Sequence, residues 1–289
     1  MRILLTGSDG QIGWELGRSL PPVGEVFAFG HASLDLAVPD QIVGRVREVK
    51  PDLIVNAAAY TAVDRAESEP DLAARINGQA PRILAEEALR VGAALIHYST
   101  DYVFDGAKTA PYVETDAPNP INVYGESKLE GERAIQATGC RHLILRTSWV
   151  YGARGANFLL AMLRLARERE ELRVVDDQIG APTWCRDVAG ATTPLARELA
   201  AGNIGGLYHL TASGKTSWCG FAREILKICG MTTRLLAIPS AQYASAAKRP
   251  ANSTLSCESL QSRSGIALPE WLASLRCCLL DEGLSRTMR

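Results

Sequence analysis

The sequence predicts an α/β fold in which a doubly wound parallel sheet is followed by a smaller mixed α/β region. Short apolar strands alternate with helical patterns through the first half of the chain, which is typical of a parallel sheet with helices on both faces. The run Leu53-Ile54-Val55-Asn56 is almost entirely apolar, as expected for a strand that is covered on both sides. A glycine-rich turn separates the first strand from the first helix, as in many parallel α/β sheets.

The elements of the first half follow from these patterns in chain order. Strands are predicted at residues 2–5, 26–29, 53–56, 94–99 and 142–146. Helices are predicted from near Ile12, over 39–49, from about 71 to 91, and from near Val123. The segment 107–120 is rich in proline and is predicted to be a loop, because proline lacks the N–H that regular elements use.

The pattern becomes looser beyond residue 150. An amphipathic helix is predicted from Phe158 to Glu170, and a helix carrying Trp and Phe is predicted around 217–229. A chain of 289 residues is long enough for one large or two modest domains. We therefore predict a domain over 1–150 and a second over 151–289, with a soft boundary and with strands of the second region returning to the first.

The composition argues against several classes of protein. Lys plus Arg number 31 and Asp plus Glu number 32, a formal net charge of -1, so no nucleic-acid partner is expected. No apolar run approaches the roughly 18 residues of a membrane span, and the first strand begins directly after Met1, which leaves no space for a signal peptide. Seven cysteines without zinc-site spacing predict buried free thiols and a cytoplasmic protein.

Three glycines in the first turn indicate dinucleotide binding. Gly7, Gly10 and Gly13 have the spacing G-x-x-G-x-x-G, a variant of the Rossmann fingerprint that brings a pyrophosphate to a helix N-terminus. That fingerprint expects an acid after the second strand to bind the ribose hydroxyls, but Gly30 and His31 stand there. The sequence thus predicts a Rossmann-type domain that uses NADPH at least as well as NADH.

A tyrosine and a lysine form the candidate catalytic pair. Tyr124 and Lys128 are four residues apart on a predicted helix, so their side chains share one face. A phenol is a poor acid–base catalyst at neutral pH unless a cation stabilises its phenolate, and Lys128 can supply that cation. Thr100 ends the strand between the glycine turn and this helix, which places its hydroxyl at the edge where open α/β sheets bind ligands.

Several further segments carry a resemblance to a known family. The segments are Asn56 to Asp64, Ala66 to Pro70, Tyr98 to Phe104, Arg146 to Gly152, Asp177 to Thr183 and Arg249 to Ser253. Together they resemble the dTDP-4-dehydrorhamnose reductase family, in the extended, nucleotide-sugar-modifying branch of the short-chain dehydrogenase/reductase superfamily. The resemblance covers nearly the whole chain and is most specific between residues 98 and 183.

The resemblance implies reduction of a 4-keto nucleotide sugar to its 4-hydroxy product, the last step of dTDP-L-rhamnose synthesis, with NADPH or NADH. Tyr124 would donate a proton to the carbonyl oxygen, with Lys128 tuning the phenol and Thr100 bonding the same oxygen. The residues carried over to the cofactor are Gly10, Gln11, Ile12, Asp35, Leu36, Ala59, Tyr60, Thr61 and Tyr98.

Four residues are predicted to face the nucleotide sugar. The resemblance assigns Thr100, Asp101 and Trp149 to this side of the site. Arg249 is a candidate partner for the diphosphate, because a guanidinium fork suits phosphate oxygens. Core packing for Trp149 and a surface ion pair for Arg249 are the competing interpretations.

The resemblance also raises the question of a metal and of oligomeric state. Some members of the family join two subunits through Mg²⁺ that glutamates hold. Glu15 fits that pattern, but Arg186 stands where a second glutamate would be needed. A cation there would repel the metal, so the sequence predicts no metal site and leaves monomer or homodimer open.

Related functions remain as alternatives. A 4,6-dehydratase needs an Asp-Glu pair beside the threonine, whereas Asp101 and Tyr102 follow Thr100 here. An epimerase or a reductase of another 4-keto sugar would share the Tyr–Lys pair. A non-catalytic NADP-binding regulatory subunit is the alternative of a different class, although all the catalytic residue types are present.

Overall fold

The computed structural model describes residues 1–281 and 283–284; of the predicted second region, residues 282 and 285–289 lie outside the described part. The strands are β1 (Arg2–Thr6), β2 (Glu25–Phe29), β3 (Leu53–Asn56), β4 (Ala94–Thr100), β5 (His142–Thr147), β6 (Val150–Tyr151), β7 (Glu171–Val175), β8 (Ile179–Gly180), β9 (Thr183–Trp184), β10 (Gly206–His209), β11 (Thr216–Ser217) and β12 (Arg234–Ile238). The helices are α1 (Gln11–Ser19), α2 (Pro39–Val49), α3 (Val63–Ala66), α4 (Pro70–Ala74), α5 (Ala80–Val91), α6 (Val123–Thr138), α7 (Phe158–Glu168), α8 (Cys185–Ala201), α9 (Trp218–Ile228), α10 (Glu258–Ser264) and α11 (Trp271–Asp281).

The main sheet has six strands in the order β10-β5-β4-β3-β1-β2. Every pairing in it is parallel, which confirms the predicted fold class. Strand β10 comes from the second half of the chain and pairs with β5 at one edge of the sheet. The two regions of the sequence therefore share one sheet. The division at residue 150, into a cofactor-binding part and a substrate-binding part, stays a prediction.

Both faces of this sheet are buried. Ile3 and Leu5 point to one side, where they meet α1 and α8 residues such as Leu16 and Leu195. Leu4 points to the other side and joins a cluster with residues of α2 and α5. Alternate residues of a strand face opposite sides of a sheet, so an almost entirely apolar strand is stable only when helices cover both faces.

The helix predicted from about 71 to 91 is interrupted. Residues Arg75–Gln79 form a π-helical turn between α4 and α5. Pro81 is the second residue of α5 and has no N–H to donate to the carbonyl four residues earlier, which loosens this turn. The turn contains Asn77, whose side chain bonds the backbone N–H and C=O of Tyr60 at 2.8 and 3.0 Å.

A second apolar core is formed by residues of the second half of the chain. It gathers residues of α7, α9 and α11 around Trp184, with Phe221 fully buried. Three short two-stranded pairings, β6–β9, β8–β11 and β7–β12, connect this region. None of the seven cysteines forms a disulfide, but Cys277 is exposed and Cys257 only partly buried, so the prediction of burial is wrong for these two. Within the described residues, no helix is long and apolar enough to cross a bilayer.

Candidate active site

A cleft of about 720 Å³ runs along the carboxyl edge of the main sheet. This is the edge at which ligands of open α/β folds bind. Most of the residues predicted from the sequence line it. They are Gly7, Gly10, Gln11, Ile12, Asp35, Leu36, Ala59, Thr61, Tyr98, Thr100, Asp101, Tyr124, Lys128, Trp149 and Arg249.

The glycine turn brings backbone into close contact at one end of the cleft. Gly7 has φ of 69°, and a Cβ there would lie 2.6 Å from the backbone nitrogen of Ala58. A Cβ on Gly13 would overlap the carbonyl of Gly7, so Gly13 supports the turn instead of lining the cleft. Gly10 precedes α1, and no described side chain caps that helix terminus. Free N–H groups at a helix terminus are suited to an anion such as a pyrophosphate.

Tyr60 lies beside the cleft with its side chain directed elsewhere. Its hydroxyl donates to Glu69 at 2.5 Å, and Asn77 holds its backbone. The neighbouring Ala59 and Thr61 do line the cleft. Tyr60 therefore orders the loop that carries these two residues, and its own contact with a cofactor stays a prediction.

Lys128 is buried with its ammonium group held by two partners. Nζ donates to the carbonyl of Tyr98 at 2.6 Å and lies 3.2 Å from Nε2 of His97. Lys128 is only 2% exposed, and this burial lowers its pKa to about 8. The lysine is thus still mostly charged at neutral pH, in a place where little water screens that charge.

His97 extends this contact into the centre of the sheet. Its Nδ1 lies 2.9 Å from Nδ2 of Asn56, and Asn56 accepts a hydrogen bond from Thr6 at 2.6 Å. Burial lowers the pKa of His97 well below its ordinary value, so the ring is neutral. A series of hydrogen-bonded side chains from β1, β3 and β4 therefore ends at the ammonium group of Lys128 and fixes its position.

Tyr124 lies on the same face of α6 as Lys128, and its hydroxyl lies by Thr100. Burial raises the pKa of Tyr124 to about 12, although the hydrogen bond with Thr100 acts in the opposite direction. The phenol is therefore protonated at neutral pH. It carries a proton that it can donate, which is the state required of a general acid.

Three buried polar atoms in the cleft have no partner within the described residues. They are Oγ of Ser99, Oδ2 of Asp101 and Oγ1 of Thr147, on residues that are 2% to 6% exposed. Burial also raises the pKa of Asp101 to about 7. Unpaired buried polar atoms are costly, so these three are suited to bonding a ligand. Ser99 and Thr147 were not predicted, although each lies at the carboxyl end of a strand.

Two tryptophans form an aromatic wall at the other end of the cleft. The rings of Trp149 and Trp218 are stacked, with centroids 3.5 Å apart and planes 3° from parallel. Trp149 has a φ of 47°, a backbone conformation that only a few non-glycine residues adopt. Such strain is typical of functional sites, and it sets the indole against the cleft. Trp218 was not predicted as a site residue, because it starts an otherwise ordinary amphipathic helix.

Arg249, a predicted partner of the diphosphate, and Arg186, which replaces a metal-binding glutamate of the family, both form ion pairs. Arg249 makes a bidentate contact with Asp64, at 3.1 and 2.7 Å, while still lining the cleft. Arg186 contacts Glu15 at 3.3 Å and Asp281 at 3.0 Å. The described residues contain no group of acidic, His or Cys side chains that could hold a metal ion, and the arginine takes the position between the carboxylates.

Nearly the whole chain resembles a known family of proteins. The model of the RmlD substrate binding domain matches residues 1–283. A dTDP-4-dehydrorhamnose reductase of Burkholderia thailandensis is 49% identical, with 97% of this chain and 99% of that protein covered. One of Escherichia coli K12 is 47% identical, with 96% of each covered. The chain belongs to the dTDP-4-dehydrorhamnose reductase family.

Solved structures agree with this membership. A dTDP-4-dehydrorhamnose reductase of Bacillus anthracis, in complex with NADP, has a TM-score of 0.93 at 37% identity and covers 97% of this chain and 99% of its own. A UDP-glucose 4-epimerase of Thermus thermophilus, in complex with NAD, reaches a TM-score of 0.82 at 19% identity, with 98% and 99% covered; this likeness concerns the fold alone. The resemblance drawn from the motifs of the reductase family is confirmed.

Proposed function

We propose that this chain reduces the 4-keto group of dTDP-4-dehydrorhamnose to give dTDP-L-rhamnose, with NADH or NADPH as reductant. The observation that carries the proposal is the meeting of Tyr124, Lys128 and Thr100 in one cleft with the glycine turn. Membership of the reductase family supports the same reaction.

The residues of the cleft fit a nicotinamide dinucleotide. The N-terminus of α1 beside Gly10 has no side-chain cap, so its N–H groups can bind a pyrophosphate, and Lys128 is placed to donate to the nicotinamide ribose. Gln11, Ile12, Asp35, Leu36, Ala59, Thr61 and Tyr98 complete the lining. When bound, the reduced nicotinamide supplies the hydride for the carbonyl carbon.

Tyr124 is the proposed proton donor. Its Oη holds a proton at neutral pH because burial raises its pKa, and negative charge that develops on the carbonyl oxygen draws this proton. Lys128 stabilises the phenolate that is left, by its charge in a buried setting. Thr100 bonds the same oxygen and orients it toward Tyr124.

The opposite wall of the cleft is the proposed sugar-nucleotide site. The stacked face of Trp149 and Trp218 suits a flat ring or the apolar side of a sugar. Asp101 offers its unpartnered oxygen to a hydroxyl. Arg249 can bond diphosphate oxygens, in exchange for part of its contact with Asp64.

We also propose a division of labour within the shared fold. Residues 1–150 hold the cofactor, and residues 151–289 mainly supply the substrate side. We propose that the enzyme works in the cytoplasm, since seven cysteines without a disulfide suit a reducing compartment, and that it is a monomer or homodimer without a metal bridge.

The test is incubation of the purified chain with dTDP-4-dehydrorhamnose and either NADH or NADPH, followed by NMR of the sugar. The proposal expects loss of the reduced cofactor and one dTDP-L-rhamnose for each cofactor oxidised. A sugar inverted at one carbon without net cofactor oxidation would show an epimerase. Cofactor binding without any turnover would show the regulatory alternative.

A further inference from the structure

A buried ion pair lies next to the Tyr124–Lys128 pair. On α6, Glu132 is one helical turn beyond Lys128, which is itself one turn beyond Tyr124. Residues four apart on a helix lie on the same face, so the three side chains form one row. Nε and Nη2 of Arg146, on β5, donate to the two carboxylate oxygens of Glu132 at 2.8 and 2.6 Å. Glu132 is 1% exposed and Arg146 2%, so little water screens the pair from Lys128.

Fold stability alone is a poor explanation for this pair. Taking two charges out of water is costly, and apolar side chains of similar volume often stabilise a core equally well or better. Nη1 of Arg146 is also buried without a hydrogen-bond partner among the described residues, which adds to that cost. The guanidinium lies over the ring of Phe104, 5.0 Å from the centroid, and this contact offsets part of it. We therefore expect the pair to act on a neighbouring group.

That neighbouring group is Lys128. Within the described residues, its Nζ bonds two neutral groups, the carbonyl of Tyr98 and the ring of His97. Burial lowers the pKa of Lys128 to about 8, and the carboxylate of Glu132 acts in the opposite direction. A nearby opposite charge favours the charged form of a lysine. Glu132 thus offsets part of the penalty that burial places on the ammonium.

We propose that Glu132 and Arg146 are positioning residues of the reductase site, in which Glu132 keeps the ammonium of Lys128 charged and Arg146 holds Glu132, and with it α6, on β5. This rests on the proposed function, in which the charged Lys128 donates to the nicotinamide ribose and stabilises the phenolate of Tyr124. Neither Glu132 nor Arg146 lines the cleft, so both act through Lys128. Arg146 directly precedes Thr147, which does line the cleft, so the same contact fixes α6 relative to that wall.

Other charges on the helices around α6 are exposed or already paired. The charged residues of α3, α4 and the π-helical turn are exposed; they are Asp64, Arg65, Asp71 and Arg75. On α5, the exposed ones are Arg82, Glu86 and Arg90. Glu87, also on α5, accepts two hydrogen bonds from Arg47 of α2. Water screens exposed charges strongly, whereas Glu132 acts on Lys128 inside the core.

The buried titratable groups near Lys128 differ in the pH at which they change charge. His97 on β4 is neutral because burial lowers its pKa well below the ordinary value. Three tyrosines keep their protons because burial raises the pKa of each; they are Tyr98, Tyr102 and Tyr124. Burial raises the pKa of Asp101, which follows β4, to about 7. Since Asp101 titrates close to Lys128, the charge of the lysine has to be observed directly.

Carbon NMR of the lysine Cε in the full chain without cofactor reports that charge. The signal of Lys128 is assigned by its absence from Lys128→Met. Loss of the negative charge in Glu132→Gln should move the midpoint of this signal from about pH 8 to about pH 7. The alkaline break in NADH affinity, measured by fluorescence titration, should move down with it. An unchanged midpoint in Glu132→Gln would overturn the proposal.

Glu87→Gln is the matched control. Glu87 also accepts a bidentate contact from an arginine, Arg47, at 2.9 and 3.0 Å, and it is 4% exposed. This pair joins α5 to α2 and does not line the cleft. The midpoint of Lys128 should therefore stay at its unmodified value. An equal downward movement in Glu87→Gln would mean that the loss of any such pair has this effect, and would overturn the assignment to Glu132.

A double variant separates charge from packing. Glu132→Gln leaves the charge of Arg146 unbalanced, whereas Glu132→Gln with Arg146→Met removes both charges. The midpoint of the double variant should lie between those of Glu132→Gln and the unmodified chain. The double variant also decides the matter if Glu132→Gln does not fold, because it buries no lone charge; an unmodified midpoint there would overturn the proposal. If the unmodified chain does not bind NADH, the proposed function fails, while the carbon titration still tests Glu132.

Discussion

At the residue scale, burial shifts the pKa values of the two central residues of the site, Tyr124 and Lys128. Tyr124 keeps its proton because burial raises its pKa, and Lys128 has a pKa of about 8 because burial disfavours its charged form. The motif and the helical spacing were enough to predict both residues. Ser99, Thr147 and Trp218 could not be predicted in this way, because each acquires its place only when separate strands and helices meet.

Replacement of the proposed acid separates chemistry from binding. Tyr124→Phe should lower turnover of dTDP-4-dehydrorhamnose by about 100-fold or more, the usual contribution of a positioned acid, while NADH binding stays within about twofold because Lys128 remains in place. Steady-state rates and fluorescence titration measure the two effects. Tyr208→Phe on β10 is the control, and it should keep normal rates. Normal turnover in Tyr124→Phe would mean that another group donates the proton.

The lysine predicts a pH dependence of cofactor binding. Lys128 is charged below its pKa of about 8 and becomes neutral as pH rises through it. NADH affinity should therefore weaken above about pH 8, where the ammonium no longer donates as a cation to the ribose. Titrations across this range measure the break. Lys128→Met should bind weakly and show no break at this pH; a break that persists in the variant belongs to another group.

At the element scale, periodicity predicted most strands and helices, but not their interruptions or their partners. The helix over 71–91 contains a π-helical turn, since Pro81 removes one donor. The short strand β10 has no strong pattern of its own, and only its pairing with β5 makes it part of the sheet.

The close packing of α1 on the glycine turn predicts opposite effects on stability for two glycine-to-alanine substitutions in this helix. Gly13→Ala places a Cβ against the Gly7 carbonyl and should lower the free energy of unfolding by about 1–3 kcal/mol, with loss of NADH affinity. Gly17→Ala has open space around it and should raise the free energy of unfolding by about 0.5–1 kcal/mol. Urea unfolding of both variants measures the difference. Equal stability of the two would show that the close approach at Gly13 is not needed.

At the scale of the whole molecule, the two sequence regions share one core and one sheet. Helix α8 packs with α1 on one face of the main sheet, and β10 forms an edge strand of that sheet. Asn157, from the second region, donates to Gln11 on the cofactor side at 2.9 Å. A boundary near residue 150 describes the change of pattern along the chain, whereas the folded core includes both sides of it.

This interleaving predicts that the first region does not fold alone. A fragment of residues 1–150 would keep β4 beside β5 but lose β10 on its other side, and it would expose Leu143, Leu145 and Leu16, which α8 helps to cover. Exposed apolar surface and an open strand edge favour aggregation. We expect no cooperative thermal transition by circular dichroism, in contrast to the full chain. A soluble fragment with a cooperative transition would show two independent domains.

The central claim is that hydride passes in this cleft to the 4-keto carbon of the sugar. The most direct measurement uses NADH with deuterium in the transferable position at C4 of the nicotinamide, incubated with the full chain and dTDP-4-dehydrorhamnose. The account predicts dTDP-L-rhamnose with deuterium at C4 of the sugar, seen by NMR. A product without deuterium, or with deuterium at another carbon, would contradict it.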